Sequence, residues 1–234
     1  LPEAMFLVSH VVWLSFVQTD LDRAYRLAAM PNCDQTTLLA LRKAFQPLTW
    51  NKTAPSRPLI VEYLALQTMV RTLGGYDLLK RRDPGEPNTH NPLITLANGF
   101  LRLWLLPNRT VRDQRNILDQ QLACVHVNPP RVSDVSSLQD EYLKKPPFKN
   151  TVGWMLLAIA LPDYSKAVRM GYVTSVQSEL LAIYLSERTG GTLVLEDPFT
   201  RKPYGRTDKG IPFSVGWDGK AGTPDDIGLG TPLK

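Results

Sequence analysis

Apolar residues recur at spacings of three and four along most of this chain, and this period constrains the fold more than any other feature. In the first segment they run through Phe6, Leu7, Val11, Leu14, Val17, Leu21, Tyr25 and Ala28. That spacing places the side chains on one face of a helix. Comparable segments follow, most of them bounded by proline, glycine or a capping residue. The pattern predicts a mainly α protein built as a multi-helix bundle.

Capping residues set several of the expected helix boundaries. Asp34 precedes an apolar-periodic segment and predicts the N-cap of a second helix. Thr110 and Asp113 resemble a capping box, with Asp in place of Glu, at the start of a helix that runs to about residue 124. A long helix is expected over residues 163–188, which a glycine pair follows.

Two stretches interrupt the helical period. Residues 80–92 contain three prolines and no apolar residue, which predicts an exposed connection and a possible subdivision there. Residues 127–150 contain two proline pairs and are expected to form a long surface loop or a loop that covers a groove. Strands are predicted only at 192–195 and 211–215. The chain is therefore interpreted as a helical domain over 1–191 and a C-terminal segment over 192–234.

The charge of the chain excludes few partners by itself. Lysine and arginine number 27 against 22 acidic residues, which gives a net charge of +5. The basic residues are scattered, and the only dense run is Lys80-Arg81-Arg82, which follows a helix-like segment. Cations at that place stabilise the negative end of a helix dipole. Since no nucleic-acid recognition pattern accompanies them, we expect no nucleic-acid partner.

The residue types that carry catalysis are not arranged in a recognisable site. His10, His90 and His126 are far apart and match no metal-ligand spacing. His10 lies in an apolar run and is interpreted as a core histidine. Cys124 and His126 could form a thiol and imidazole pair, but no orienting third group is identifiable. The sequence therefore favours a noncatalytic protein over an enzyme.

Two features bear on the compartment of the protein. Cys33 and Cys124 stand 91 positions apart, and they could form a disulfide in an exported chain or remain two buried free thiols. The apolar run over residues 4–17 is shorter than the roughly twenty residues that span a bilayer, so it predicts a core helix. Leu1 is not an initiator residue, which leaves open a leader or a membrane anchor upstream of it.

Three carboxylates crowd a glycine-rich stretch near the end of the sequence. Asp218, Asp225 and Asp226 fall within nine residues. Like charges held close together repel unless something offsets them, and a bound hard cation would do so. The glycines of this stretch are Gly216, Gly219 and Gly222. Calcium, which accepts carboxylates and main-chain carbonyls, suits such a bent loop better than magnesium or zinc. An exposed turn that binds nothing is the alternative.

The same region carries a family resemblance. Its motifs, in order, are Asp197-Pro198-Phe199, Lys202-Pro203-Tyr204, Phe213-Ser214-Val215-Gly216, Asp218-Gly219 and Asp225-Asp226-Ile227-Gly228. Together, residues 196–229 resemble the C-terminal end of the major pseudopilin of bacterial type II secretion systems. The resemblance covers this segment only, because the helical remainder lacks the cleavable leader and the single apolar stem of that family.

The resemblance implies a structural calcium ion and an exported protein. The implied ligands are the Val215 carbonyl and the side chains of Asp218, Asp225 and Asp226. The implied location is the periplasm or the cell envelope, and the expected partner is another envelope or secretion-system protein. The expected architecture is thus a helical bundle with a small C-terminal β and loop appendage that holds calcium.

Two functions remain open from the sequence. The first is a noncatalytic interaction or scaffolding protein of the bacterial envelope with a structural calcium site. The second is an envelope hydrolase or carbohydrate-binding protein whose site lies in the helical part. Acids or His126 converging in a concave pocket would favour the second, and an apolar patch on a flat helical surface would favour the first.

Overall fold

The structure is a computed structural model that describes residues 7–45, 47–48, 54–75, 105–144, 150–160 and 164–230. Within these ranges the chain forms seven α-helices followed by five short strands. The helices are α1 (Leu7–Ala29), α2 (Gln35–Ala44), α3 (Ser56–Gly75), α4 (Pro107–Val125), α5 (Val132–Lys144), α6 (Thr151–Ala160) and α7 (Tyr164–Arg188). The strands are β1 (Glu196–Asp197), β2 (Lys202–Pro203), β3 (Gly205–Arg206), β4 (Pro212–Ser214) and β5 (Ile227–Gly228).

The strands form two small antiparallel sheets at the C-terminal end. Strands β1 and β2 pair as a hairpin, with Asp197 opposite Lys202. Strand β4 lies between β3 and β5, and Phe213 pairs with Gly228 across β4 and β5. We call residues 192–230 the tail. The predicted mainly helical fold with a small C-terminal sheet region is confirmed.

Helix α7 lies at the centre of the described fold. Leu181 and Leu185 pack on one side into a cluster with apolar residues of α1 and α2. Tyr172, Val176 and Leu180 pack on another side into a cluster with the tail. A helix that is apolar on several faces is stable only when neighbours cover each face. The tail is therefore part of the core rather than a peripheral addition.

A third cluster joins the remaining helices to the start of α7. Its fully buried members come from α3, α4, α6 and α7, and they include Leu59, Val70, Val125, Leu157 and Val168. Burial of such side chains removes apolar surface from water, which stabilises each by about 1.5–3 kcal/mol. This cluster holds the bundle together by apolar packing.

Several boundaries match the sequence predictions. The Asp34 carboxylate accepts the Thr37 amide at 2.6 Å, which confirms the N-cap of α2. This bond lowers the pKa of Asp34. The predicted helix over 163–188 is α7. His10 is buried, as expected of a core histidine. Cys33 and Cys124 are both free and half-buried, so the disulfide is not formed.

The capping box predicted at Thr110 is wrong. Helix α4 begins at Pro107, whose fixed φ suits a first helical turn. Thr110 is fully buried inside that turn, and its hydroxyl donates to the Leu106 carbonyl at 3.1 Å. Asp113 pairs instead with Arg109 at 3.8 Å. The helix therefore begins at Pro107, three residues before Thr110.

Two further predictions are wrong, one for the region that contains the proline pairs and one for the start of the tail. The loop expected over 127–150 contains α5, which has Asp134 in its first turn. The strand expected over 192–195 does not form, although Leu193 and Leu195 pack against the cluster on α7. The connection predicted at 80–92 lies outside the described residues. Among the helices that are described, none is both long and apolar enough to cross a membrane.

Candidate metal centre

Asp197 positions the start of the predicted calcium loop. Its side chain is 1% exposed, and its two oxygens accept the Phe199 amide at 2.9 Å and the Val215 amide at 3.1 Å. Its carbonyl also accepts the Arg201 amide at 2.8 Å. One buried carboxylate thus ties the β1–β2 turn to the end of β4. Sequence reasoning placed Asp197 in a motif but assigned it no role, although Asp before Pro is a frequent turn signal.

Gly216 brings the backbone after β4 against Asp225. Its φ is +69°, which side chains other than glycine rarely adopt. A Cβ atom at this position would lie 2.2 Å from the Asp225 carbonyl oxygen and 2.7 Å from its Oδ2. The loop over residues 215–226, which we call the calcium loop after the ion that the sequence predicts for it, therefore closes only with glycine at position 216.

Asp225 holds the calcium loop together through hydrogen bonds. Its Oδ2 accepts the Asp218 amide at 2.9 Å, and its Oδ1 accepts the Thr223 hydroxyl at 2.6 Å. The hydroxyl bond, more than the main-chain bonds, holds the pKa of Asp225 below its usual range. Both carboxylate oxygens are occupied inside the loop, so Asp225 acts here as a structural acceptor.

Asp226 carries an oxygen whose hydrogen-bonding capacity is unused. Its Oδ2 accepts the Gly222 amide at 2.7 Å, whereas its Oδ1 is buried and has no hydrogen-bond partner. Burying a carboxylate oxygen without a partner is unfavourable. Asp218, which is exposed, accepts the Lys220 amide through Oδ1 at 2.8 Å. The loop thus contains one buried oxygen without a hydrogen-bond partner, on Asp226, and one exposed carboxylate, on Asp218.

The structure brings the predicted ligands into one loop without gathering their side chains around one point. Val215, Asp218, Asp225 and Asp226 share the calcium loop, and the Asp218 amide contacts Asp225 directly. Within the described ranges, however, no three side chains among His, Cys, Asp and Glu lie close enough to hold a metal ion. An ion in this loop would therefore need main-chain carbonyls and water beside the carboxylates, a donor set of oxygens that calcium accepts.

Polar contacts attach the tail to α7. The Tyr204 hydroxyl donates to Glu179 Oε2 at 2.6 Å, and the Gln177 amide donates to the Gly228 carbonyl at 3.2 Å. Burial raises the pKa of the Glu179 carboxyl, although the bond from Tyr204 opposes that shift. Burial also raises the pKa of Tyr204, with the Glu179 charge as the next cause. The tail is thus fixed to the central helix by contacts that include an ionisable group.

A pocket of about 550 Å³ opens between α7 and the calcium loop. Arg169, Val173 and Gln177 line it from successive turns of α7, and residues 222–228 line it from the tail. The Arg169 guanidinium lies 5.5 Å from the centre of the Trp217 ring, which forms another part of the wall. The predicted ligands Asp225 and Asp226 therefore belong to the wall of a pocket rather than to an isolated turn.

Catalytic groups considered from the sequence do not assemble with this loop. His126 is exposed at the C-cap of α4, and burial raises the pKa of the neighbouring Cys124 thiol. A raised pKa disfavours the nucleophilic thiolate. His90 lies outside the described residues. Burial of Cys124 therefore disfavours activation of its thiol.

A second pocket of about 360 Å³ lies between α4 and α5. Asp113 and Glu141 line it, together with Tyr142. The Tyr142 hydroxyl is buried without a hydrogen-bond partner, and burial, followed by the charge of Asp113, raises its pKa to about 12. Two acids and a phenol thus share a concave surface in the helical part, a combination that sequence spacing did not reveal.

Comparison with protein-family models, with curated proteins and with solved structures found no match to this chain.

Proposed function

We propose that this chain is a noncatalytic interaction or scaffolding protein of the Gram-negative cell envelope whose C-terminal loop binds a structural calcium ion. The observation that carries the calcium part is the buried, unpaired Oδ1 of Asp226 in a loop that Gly216 closes against Asp225. A bound cation would satisfy this oxygen and offset the negative charge of the carboxylates that share the loop. The envelope location follows from the pseudopilin resemblance of residues 196–229.

The residues of the loop have separate roles in this proposal. Asp226 and Asp218 supply carboxylate oxygens, and Val215 supplies its carbonyl. Asp225 either keeps its bonds to Thr223 and Asp218 or releases one oxygen for the ion. Weak binding suffices, since extracellular calcium modules operate with dissociation constants of about 10⁻⁴–10⁻³ M.

An apolar stripe on α1 supports the interaction role. Val8, Val12 and Phe16 are separated by four residues each, so they lie on one face of the helix. Val8 is 72% exposed and Phe16 is 67% exposed. Exposed apolar stripes of this kind mark surfaces that contact other proteins. We propose another envelope or secretion-system protein as the partner of this face.

Calcium binding is tested by thermal melting in EGTA and in calcium. About 10 mM calcium acting on a site with a dissociation constant near 0.1 mM stabilises the fold by about 2.7 kcal/mol, which raises Tm by roughly 5–10 °C. Asp226→Asn and Asp218→Ala should remove this response. Glu196→Ala is the matched control, because Glu196 is an exposed acid of the tail that neither belongs to the loop nor lines its pocket. A melting temperature indifferent to calcium in the unchanged protein contradicts the proposal.

Terbium gives a direct reading of the site. This ion takes the oxygen ligands that calcium prefers and luminesces when an excited indole lies nearby. Trp217 is adjacent to Asp218 in the chain. We expect indole-sensitised emission that calcium displaces and that Trp217→Phe weakens. Emission unchanged by Trp217→Phe would place the terbium elsewhere.

The pocket between α4 and α5 favours a second candidate, a hydrolase or carbohydrate-binding protein. Paired carboxylates are the groups that glycoside hydrolysis uses, and Asp113 and Glu141 line one pocket. Oligosaccharide binding and hydrolysis, each measured with Asp113→Asn and Glu141→Gln, test this function. Hydrolysis that each substitution alone abolishes would establish the hydrolase function in place of the noncatalytic role.

A further inference from the structure

Side chains from α7 and the tail bind the connection between α4 and α5. We call residues 126–131 the connecting loop. The Arg201 guanidinium donates to the Asn128 carbonyl at 3.0 Å, and the Trp217 indole N–H donates to the Pro130 carbonyl at 3.3 Å. The Tyr172 hydroxyl donates to the side-chain oxygen of Asn128. Three groups distant in sequence thus fix the position of one short loop.

Trp217 belongs to this contact and to the calcium loop at once. It follows Gly216, whose backbone lies close against Asp225, and it precedes Asp218. Its ring centroid lies 5.0 Å from that of Phe199 and 5.8 Å from that of Tyr172. Aromatic rings at these separations prefer defined relative orientations. The direction of the Trp217 N–H is therefore set by the backbone of the calcium loop and by the ring cluster together.

The connecting loop controls the entry of the chain into α5. The Arg131 amide donates to the Cys124 carbonyl at 3.1 Å, which closes the loop onto the end of α4. Val135, one turn into α5, is 1% exposed within the bundle core. The pocket that contains Asp113 and Glu141 lies between these same two helices. A change at the connecting loop would therefore reach the helical part of the molecule.

We propose that Trp217 couples ion occupancy of the calcium loop to the connecting loop, so that calcium lowers local opening of residues 126–131. This inference rests on the proposed calcium function. The indole N–H bond to Pro130 is the physical link, because it joins the backbone between two proposed ligands to the connection between α4 and α5. Coupling between two sites is reciprocal, so a fixed connecting loop also favours ion binding.

Hydrogen exchange with mass spectrometry on the full chain tests the coupling. Exchange is compared in EGTA and in calcium for peptides that cover residues 124–135 and for peptides that cover the calcium loop. We expect calcium to slow exchange in both regions, by about fivefold or more in the connecting loop. Trp217→Phe keeps an aromatic ring and removes the donor. This variant should retain protection of residues 218–226 and lose most of the protection of residues 126–131.

Trp154 provides the matched control. Its indole N–H also donates to a main-chain carbonyl, that of Tyr142, at 3.3 Å. Trp154→Phe therefore removes the same kind of bond at a site away from the calcium loop, and the calcium effect on the connecting loop should persist.

Each remaining outcome decides between the two proposals. Protection of the connecting loop that survives Trp217→Phe overturns the coupling. Calcium protection confined to the calcium loop of the unchanged protein overturns the coupling and leaves the calcium function standing. If neither region responds and terbium does not bind, the calcium function fails and the coupling fails with it.

Discussion

The two sides of helix α7 are covered by different means. Toward α1 and α2, Leu181 and Leu185 pack against apolar side chains. Toward the tail, Leu180 packs against a similar cluster, but the covering strands are only two or three residues long. Short strands form few ladder bonds, and the tail adds buried polar contacts from Asp197, Glu179 and Gln177. The helical side combines apolar packing with a hydrogen bond from Arg42 of α2 to Thr189 at the end of α7, whereas the tail side also uses the buried carboxylates of Asp197 and Glu179.

The largest expected effect is on the free energy of unfolding. Substitution of two adjacent leucines of α7, one facing each side, compares the two sides. Leu180 and Leu181 are both 0% exposed. Truncation of either to alanine should lower the free energy of unfolding by about 3 kcal/mol, because each leaves a cavity. The two variants should differ in hydrogen exchange. Leu180→Ala should accelerate exchange over residues 196–228, since only the contact with the tail is weakened.

Urea unfolding measures the first quantity and exchange mass spectrometry the second. Lys166→Ala, at an exposed position of the same helix, is the control and should cost less than about 0.5 kcal/mol. Equal acceleration throughout the molecule in both leucine variants would show that the tail cannot open separately.

A smaller loss of stability is expected at Asp197, whose buried carboxylate binds main-chain amides of the tail in place of strand-to-strand hydrogen bonds. Asp197→Ala leaves the amides of Phe199 and Val215 without their acceptor. We expect a loss of about 2 kcal/mol in urea unfolding, because unsatisfied buried donors are costly. Asp208→Ala, an exposed acid in the same tail, should change stability by less than about 0.5 kcal/mol. Equal results for the two substitutions would remove Asp197 as the organising residue of the tail.

The smallest effect concerns pH. Burial raises the pKa of folded Glu179 above its ordinary value of 4.5, so the folded chain binds more protons than the unfolded chain just above that pH. Stability from this group is therefore present below about pH 4.5 and is lost as pH rises through the raised pKa. Glu179→Gln keeps an acceptor for Tyr204 and does not titrate.

The variant should gain stability relative to the unchanged protein as pH rises from about 4.5 to about 7.5. Urea midpoints of both proteins across that range measure the difference. Parallel curves would show that Glu179 titrates alike in the folded and unfolded chains.

Local sequence signals predicted those parts of the fold that local physics determines. The N-cap at Asp34 and the extent of α7 depend on side chains near in sequence, and both were confirmed. The prediction at Thr110 was wrong because a neighbouring proline also starts a helix, and spacing does not rank the two signals. Helix α5 was missed because proline pairs flank it and dominate the composition of the region.

The candidate site was predicted as a set of residues but not as an arrangement. Asp218, Asp225 and Asp226 were identified from their spacing, and they do share one loop. The sequence could not show that both carboxylate oxygens of Asp225 accept hydrogen bonds, from Thr223 and from the Asp218 amide. Nor could it show that Asp226 has a buried oxygen without a hydrogen-bond partner. Nor could it place Trp217 against Pro130, since that contact joins segments 87 positions apart.

The burial of α7 also has a consequence during synthesis, because the segment that covers one of its sides is made after the helix itself. Leu229 packs against both the tail cluster and the cluster shared with α1 and α2. Helix α7 therefore leaves the ribosome with one apolar side bare, and that side stays bare until residue 229 has emerged. During this interval the nascent chain is open to chaperones and to aggregation.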